Sequence, residues 1–283
     1  HAQDWATADV CRVKTAEITE TAFAPATFDA LEAAGANLAN GKGRLWRVET
    51  PNGAVSHLWG TMHSADPLIL DLPQALRNVI DAARVVAVEI DFTAKSRADL
   101  RDAPFYAARF KEAGDPFSAP VAGNSIAGLS EEHTNWLRDR AIELGWTEDV
   151  ELILSKAGMA EMLLSDPCED FTAGVLPAQD DYIQLLGRLA GAELLGLESP
   201  HDFLDDLSEP ARADTAEAII QVYTAYLEPV TSNAERATSF ALYRQGRMDV
   251  IAAWDAEFLQ SVLGEGAARA LARCGAAAIE RIA

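Results

Sequence analysis

The stretch from Arg44 to Asp91, RLWRVETPNGAVSHLWGTMHSADPLILDLPQALRNVIDAARVVAVEID, constrains the fold more than any other part of the chain. Arg44 to Glu49 alternates apolar and polar residues, the period of a strand. Pro51-Asn52-Gly53 follows, and Asn-Gly is the favoured pair for a tight hairpin. Ala54 to Met62 then reads as a second strand, antiparallel to the first, that runs into Gly60-Thr61-Met62-His63. Leu72, Leu76, Val79, Ile80 and Ala83 recur at helical spacing, and Pro73 suits the first turn of that helix. Val85 to Ile90 is almost wholly apolar, as expected of a strand buried on both faces.

Strand, helix and strand in short succession predict a βαβ unit whose two strands pair in parallel. Ligands of such sheets bind beyond the carboxyl ends of the strands. His63 lies just past the end of one strand, and Glu89 lies near the end of the other. Neighbouring strands stand about 4.8 Å apart. Direct pairing would therefore place an imidazole and a carboxylate on one rim, within reach of one metal ion or one reacting group.

The length of 283 residues allows one large domain or two small ones, and a sizeable core. The formal charge of −21 disfavours nucleic acid and anionic membrane surfaces as partners. No apolar run is long enough to span a bilayer. The chain opens His-Ala-Gln-Asp rather than with Met, which is the look of a trimmed N-terminus. His1 has the look of a tag residue and is given no role. An exported bacterial protein in the periplasm, its signal peptide removed, is the expected setting. Cys11, Cys168 and Cys274 share no metal-type spacing. One disulfide and a free thiol, or three reduced thiols, fit equally.

Outside the opening stretch the pattern is mainly helical. Residues 1–26 show no period and are expected along the surface, and Thr27 caps a short helix to Ala36. Helices are expected over 94–113 with a break at Pro104, from Ser130, and from Thr147 to about Ser165. Pro177 opens another through Leu189, ended by Gly191, and Ala192 to Glu198 reads as a strand. Helices over about 210–227, 230–245 and 248–263, then an Ala-rich stretch, complete the chain, with Gly246, Gly264 and Gly266 at the joints. The expected class is α/β (α+β): a small mixed β-sheet, with an N-terminal hairpin and a βαβ unit, surrounded by many α-helices. Residues 1–43 form an N-terminal segment and 44–283 one domain. The sheet core of that domain is 44–91 and 192–199, and its helical parts are 94–190 and 210–283.

The motifs LWRVE, LWGTMHSADP, a helix opening with Leu-Pro, and VVAVEID together resemble the TraB/PrgY/GumN family, which includes the Tiki proteins. Gly60, Thr61, His63 and Glu89 match that family's Gly-Thr-x-His strand end and its following Glu-bearing strand. Asp180-Asp181-Tyr182-Ile183 resembles the family's acidic helix start, and Leu194 to Ser199 its Gly-Leu-Glu strand. The final helices, with Tyr243, Gly246 and Trp254, match more loosely. The resemblance covers about 44–260. The family's later Arg-Asn pair and its second Gly-x-x-His have no counterpart here, since Gly60-Thr61-Met62-His63 is the only Gly-x-x-His in the sequence.

The resemblance implies metal-dependent hydrolysis of peptide bonds, as in Tiki-like proteins. A neutral imidazole suits Mn, Co or Zn, and a carboxylate suits the harder of these. The expected ligands are His63 and Glu89, with Glu89 alternatively the general base that takes a proton from water. Gly60, Thr61, Asp180 and Glu198 are supporting candidates. Two ligands are too few for a stable site, because catalytic zinc usually has three from the protein. This chain is therefore expected to hold its divalent ion weakly, with its cleft open to solvent or filled by a neighbouring chain, as in a homo-oligomer. The contrasting reading is a non-enzymatic protein that sequesters a peptide or small ligand in the same cleft.

Plainer roles stand beside each of these. A histidine at a strand end is commonly structural. Glu89 in an apolar strand would otherwise need an ion pair, to Arg47 or Arg84. Gly60 fits a close ligand approach or a bulge, and Thr61 is a β-former. Asp180 and Asp181 sit where acids complement a helix dipole, and Glu198 fits a structural hydrogen-bond acceptor. His57 alternates with His63 and can share its side. The sequence has no Gly-x-Ser-x-Gly elbow, no phosphate-binding glycine pattern and no His-Glu-x-x-His. The acidic neighbours of Cys168 argue against a thiolate nucleophile.

Overall fold

The structure, a computed structural model, describes residues 13–90, 178–198 and 234–261. The helices expected over 94–113, from Ser130, from Thr147 and over 210–227 lie outside the described residues, as do the three cysteines.

Strands β1 (Leu45–Glu49) and β2 (Val55–Trp59) form an antiparallel hairpin, with Leu45 opposite Trp59 and Glu49 opposite Val55. The turn is one residue longer than the tightest form. The Thr50 N–H donates to the Ala54 carbonyl at 2.9 Å, and Gly53 enters the left-handed region at φ 82°. β2 stops at Trp59, short of Met62. The Gly60 N–H still reaches the Arg44 carbonyl at 2.9 Å. Beyond it, the Gly60 carbonyl accepts from the Tyr243 hydroxyl at 2.8 Å, and the Met62 N–H donates to Gln179 Oε1 at 3.3 Å. Side chains have taken the backbone groups that a longer ladder would have used.

Strand β3 (Val85–Ile90) pairs in parallel with β4 (Glu193–Glu198), from Val85 opposite Glu193 to Ile90 opposite Glu198. The expected pairing of β2 with β3 is not found: among the described residues the hairpin and the parallel pair are separate two-stranded sheets. The cause lies in the captured segment, since the chain leaving Trp59 is tied to helices rather than laid along β3. The mixed α/β class holds, with helices and small sheets together.

Six α-helices accompany these strands among the described residues: α1 (Phe28–Gly35), α2 (Pro67–Leu70), α3 (Gln74–Ala82), α4 (Gln179–Ala190), α5 (Ala234–Arg244) and α6 (248–261). Thr27 caps α1, its Oγ1 accepting from the Ala30 N–H at 3.2 Å. Asp66 caps α2 by accepting from the Leu68 N–H at 2.9 Å. Gly191 ends α4 with φ 86°.

One apolar cluster joins Leu72, Leu76 and Ile80 to Val86, Val88 and Ile183, so that α3 and α4 cover one face of the parallel pair. Val86 and Val88 are each 9% exposed, whereas Val85 is 48% exposed and Glu89 is exposed. Among the described residues the strand is thus covered on one face, not on both. Apolar residues on its two faces look alike in sequence, which is why the run misleads. A second cluster gathers Ile69, Ala237, Phe240 and Tyr243, and a third Phe23, Leu31, Leu242 and Val250. Phe23, only 1% exposed, overturns the expected surface course of residues 1–26 at that point. A single aromatic in an aperiodic segment gives no signal of burial. No helix among the described residues is long and apolar enough to cross a membrane.

Candidate functional site

Helix α4 is joined to β4 by Gly191 and Ala192 alone, and it packs along both β3 and β4. It therefore runs back against the strands. Its 12 residues match the length of a six-residue strand, at about 1.5 Å against about 3.3 Å per residue. The start of α4, Gln179 and Asp180, accordingly stands at the rim where Glu89 and Glu198 close β3 and β4.

His63 meets this rim. Its Nε2 lies 3.7 Å from Asp180 Oδ2, with the imidazole 64% exposed and the carboxylate 27%. The histidine reaches the rim through the segment after β2, not along a strand paired with β3. Asp180 Oδ2 is itself shielded from solvent and accepts no hydrogen bond among the described residues. Asp180 and Asp181 also occupy the first turn of α4, where a negative charge complements the helix dipole.

The segment around His63 is held by one buried side chain. Gln179 is 0% exposed. Its Oε1 accepts from Trp59 Nε1 at 3.1 Å, from the Met62 N–H at 3.3 Å and from the Tyr243 hydroxyl at 2.5 Å. Its Nε2 donates to the Ile69 carbonyl at 2.6 Å, and its backbone N–H donates to the Ser64 carbonyl at 3.1 Å. The Tyr243 hydroxyl proton faces two acceptors, Gln179 Oε1 and the Gly60 carbonyl. Burial pushes the Tyr243 phenol above its ordinary value, against the opposing pull of the Arg44 guanidinium, so the hydroxyl stays a neutral donor. Arg44 lies over both rings, 4.8 Å from the Trp59 centroid and 4.5 Å from that of Tyr243.

The other candidates divide. Glu89 is exposed on the open side of β3, and Arg47, one of its expected ion-pair partners, is taken instead by Glu49 at 2.5 Å. Glu198 ends β4. Thr61 is half-buried. A Cβ on Gly60 would meet only Trp46, at an ordinary 3.9 Å, so no bulge or crowding requires glycine there. His57 stands opposite Arg47 inside the exposed hairpin. Sequence reasoning missed Gln179 and gave Tyr243 no role. The one available signal was a polar residue in line with Ile183 and Gly187 on the buried stripe of α4.

The pair His63 and Asp180 fits a divalent cation as two of its ligands. Donors about 2.1 Å from one ion stand roughly 3–3.5 Å apart at cis or tetrahedral angles. The observed 3.7 Å needs only a small adjustment, and the oxygen concerned is otherwise unbonded. Among the described residues no three His, Cys, Asp or Glu side chains form a ready cluster. A protein-family profile, the TraB/PrgY/gumN family, matches residues 44–272. No curated protein and no solved structure matches the chain.

Proposed function

Because the chain belongs to the TraB/PrgY/gumN family, we propose that it is a metal-dependent hydrolase of peptide bonds, with His63 and Asp180 as metal ligands and Glu89, near the end of β3, as the candidate base. The observation that carries this reading is the exposed His63 imidazole facing the shielded, unbonded Asp180 oxygen. A bound Mn, Co or Zn ion would supply a water of lowered pKa and polarise a carbonyl. His63, through Nε2, and Asp180, through Oδ2, would hold that ion. The exposure of His63 leaves its imidazole open to solvent. Glu89 stands near the end of β3 on the face away from α4, and it is the candidate to accept the proton of the attacking water and pass it to the leaving amine.

The ligand count keeps affinity weak. Calorimetric titration with Mn²⁺, Co²⁺ and Zn²⁺ should show one equivalent bound weakly, lost in both His63→Ala and Asp180→Asn. Incubation of the metal-loaded protein with a peptide library should yield new termini by mass spectrometry, abolished in Glu89→Gln. Metal binding unchanged in both ligand variants would defeat the site assignment. Tight retention of uncleaved peptides would instead favour a sequestering protein.

A further inference from the structure

We infer that Gln179 is the positioning residue of this site, a clamp that sets His63 opposite Asp180. The inference rests on the metal-site reading above and adds to it the device that builds the pair. Gln179 grips the chain on both sides of the histidine. Its side chain accepts from the Met62 N–H and its backbone donates to the Ser64 carbonyl, at 3.3 and 3.1 Å. The next residue in the chain is Asp180. A single residue thus fixes the backbone flanking one partner and directly precedes the other. His63 lies in an irregular segment, without a ladder of its own to hold it. The clamp substitutes for that ladder.

Its strength comes from burial and saturation. Gln179 Oε1 receives the three donors Trp59 Nε1, Met62 N and Tyr243 Oη, and Nε2 is committed to the Ile69 carbonyl. Losing the amide would strand buried donors, which costs far more than a surface hydrogen bond. Tyr243 reinforces the arrangement from α5, because its hydroxyl also reaches the Gly60 carbonyl. Both side chains are buried away from solvent, so neither is a catalytic residue. Each acts on His63 through the backbone, as outer partners do around a metal ligand.

The test combines Co²⁺ titration, followed by its visible absorption bands, with hydrogen exchange of the Met62 amide. Gln179→Met keeps the length and removes the polar atoms. Gln179→Glu keeps an acceptor for all three donors. Val250→Ala perturbs the third apolar cluster, away from the clamp. Gln179→Met should weaken Co²⁺ binding by about tenfold or more, alter the absorption bands and expose the Met62 amide. Gln179→Glu should restore protection of that amide, and Val250→Ala should change neither readout. If Gln179→Met does not fold, Tyr243→Phe removes only the hydroxyl, and it should weaken Co²⁺ binding and speed Met62 exchange in the same sense. Wild-type Co²⁺ affinity and Met62 protection in the Gln179→Met protein, or in Tyr243→Phe where that is the folded variant, overturn the clamp, as does an equal loss in Val250→Ala. If the wild-type protein takes up no Co²⁺, the metal reading fails. The clamp then stands or falls on Met62 exchange alone.

Discussion

Asp249 is almost without solvent contact, yet it carries a charge. Arg247 donates to it through Nε at 3.0 Å and Nη2 at 3.1 Å, while the same Nη2 reaches Glu32 of α1 at 2.7 Å. The Asp249 backbone N–H donates to the Gly41 carbonyl at 2.6 Å. This short network ties α6 to the segment that follows α1. Hydrogen bonding from Arg247 holds the Asp249 carboxyl below its ordinary value of 3.8. A carboxylate whose pKa is lower folded than unfolded stabilises the fold above the unfolded value, and that contribution disappears as pH falls through the folded value. Burial of Glu235 raises its pKa and acts in the opposite sense, losing its contribution as pH rises. Comparing Asp249→Asn with the wild type isolates the first effect. The variant should melt at a lower temperature at pH 7, and the difference should shrink as pH is lowered from about 4, as scanning calorimetry at several pH values would show. A melting difference that stays constant down to the acid limit would contradict the assignment. His63, Asp180 and Glu89 were legible in sequence because each sits at the end or start of a periodic element. Gln179 and Asp249 were not, because a buried polar residue is defined by partners far away in the chain.

At the scale of elements, α4 lies close enough to β3 to be set by one missing side chain. A Cβ on Gly187 would stand 2.8 Å from Val86 Cγ2 and 3.2 Å from its Cβ. Alanine is favoured over glycine in a helix by about 1 kcal/mol, but forcing an extra methyl into a packed contact costs about 1–3 kcal/mol. Gly187→Ala should therefore be neutral to destabilising by about 2 kcal/mol in urea unfolding, against the helix-propensity expectation. Adding Val86→Ala should remove part of that penalty, the mark of two residues in contact. A clear gain of stability in Gly187→Ala alone would show that α4 can move off the strand. The hairpin, α1, α3, α4 and β4 were visible in sequence, since turns, caps and apolar periods are local signals. The pairing of strands was not. β3 finds β4 across more than a hundred residues, and the segment after β2 is claimed by Tyr243 and Gln179, which no local pattern announces.

Over the whole molecule, Trp59 touches both the cluster beneath the parallel strands and the one around α5, while Ile251 joins the latter to the cluster around α1. The clamp sits where the first two meet. Its bonds close separations of 117 residues from Met62 to Gln179 and 183 residues from Gly60 to Tyr243. Contacts that close long loops form late, whereas helices and hairpins form within microseconds. The order of events in time follows from this. In a refolding experiment, helical circular dichroism should recover before pulse-labelled exchange finds the Met62 amide protected. Simultaneous recovery would mean that the distant segments meet early. With helices recovering first, a newly synthesised chain passes through an interval in which its helices are formed but His63 is still unplaced, so ligand-binding competence arrives as the closing event of maturation.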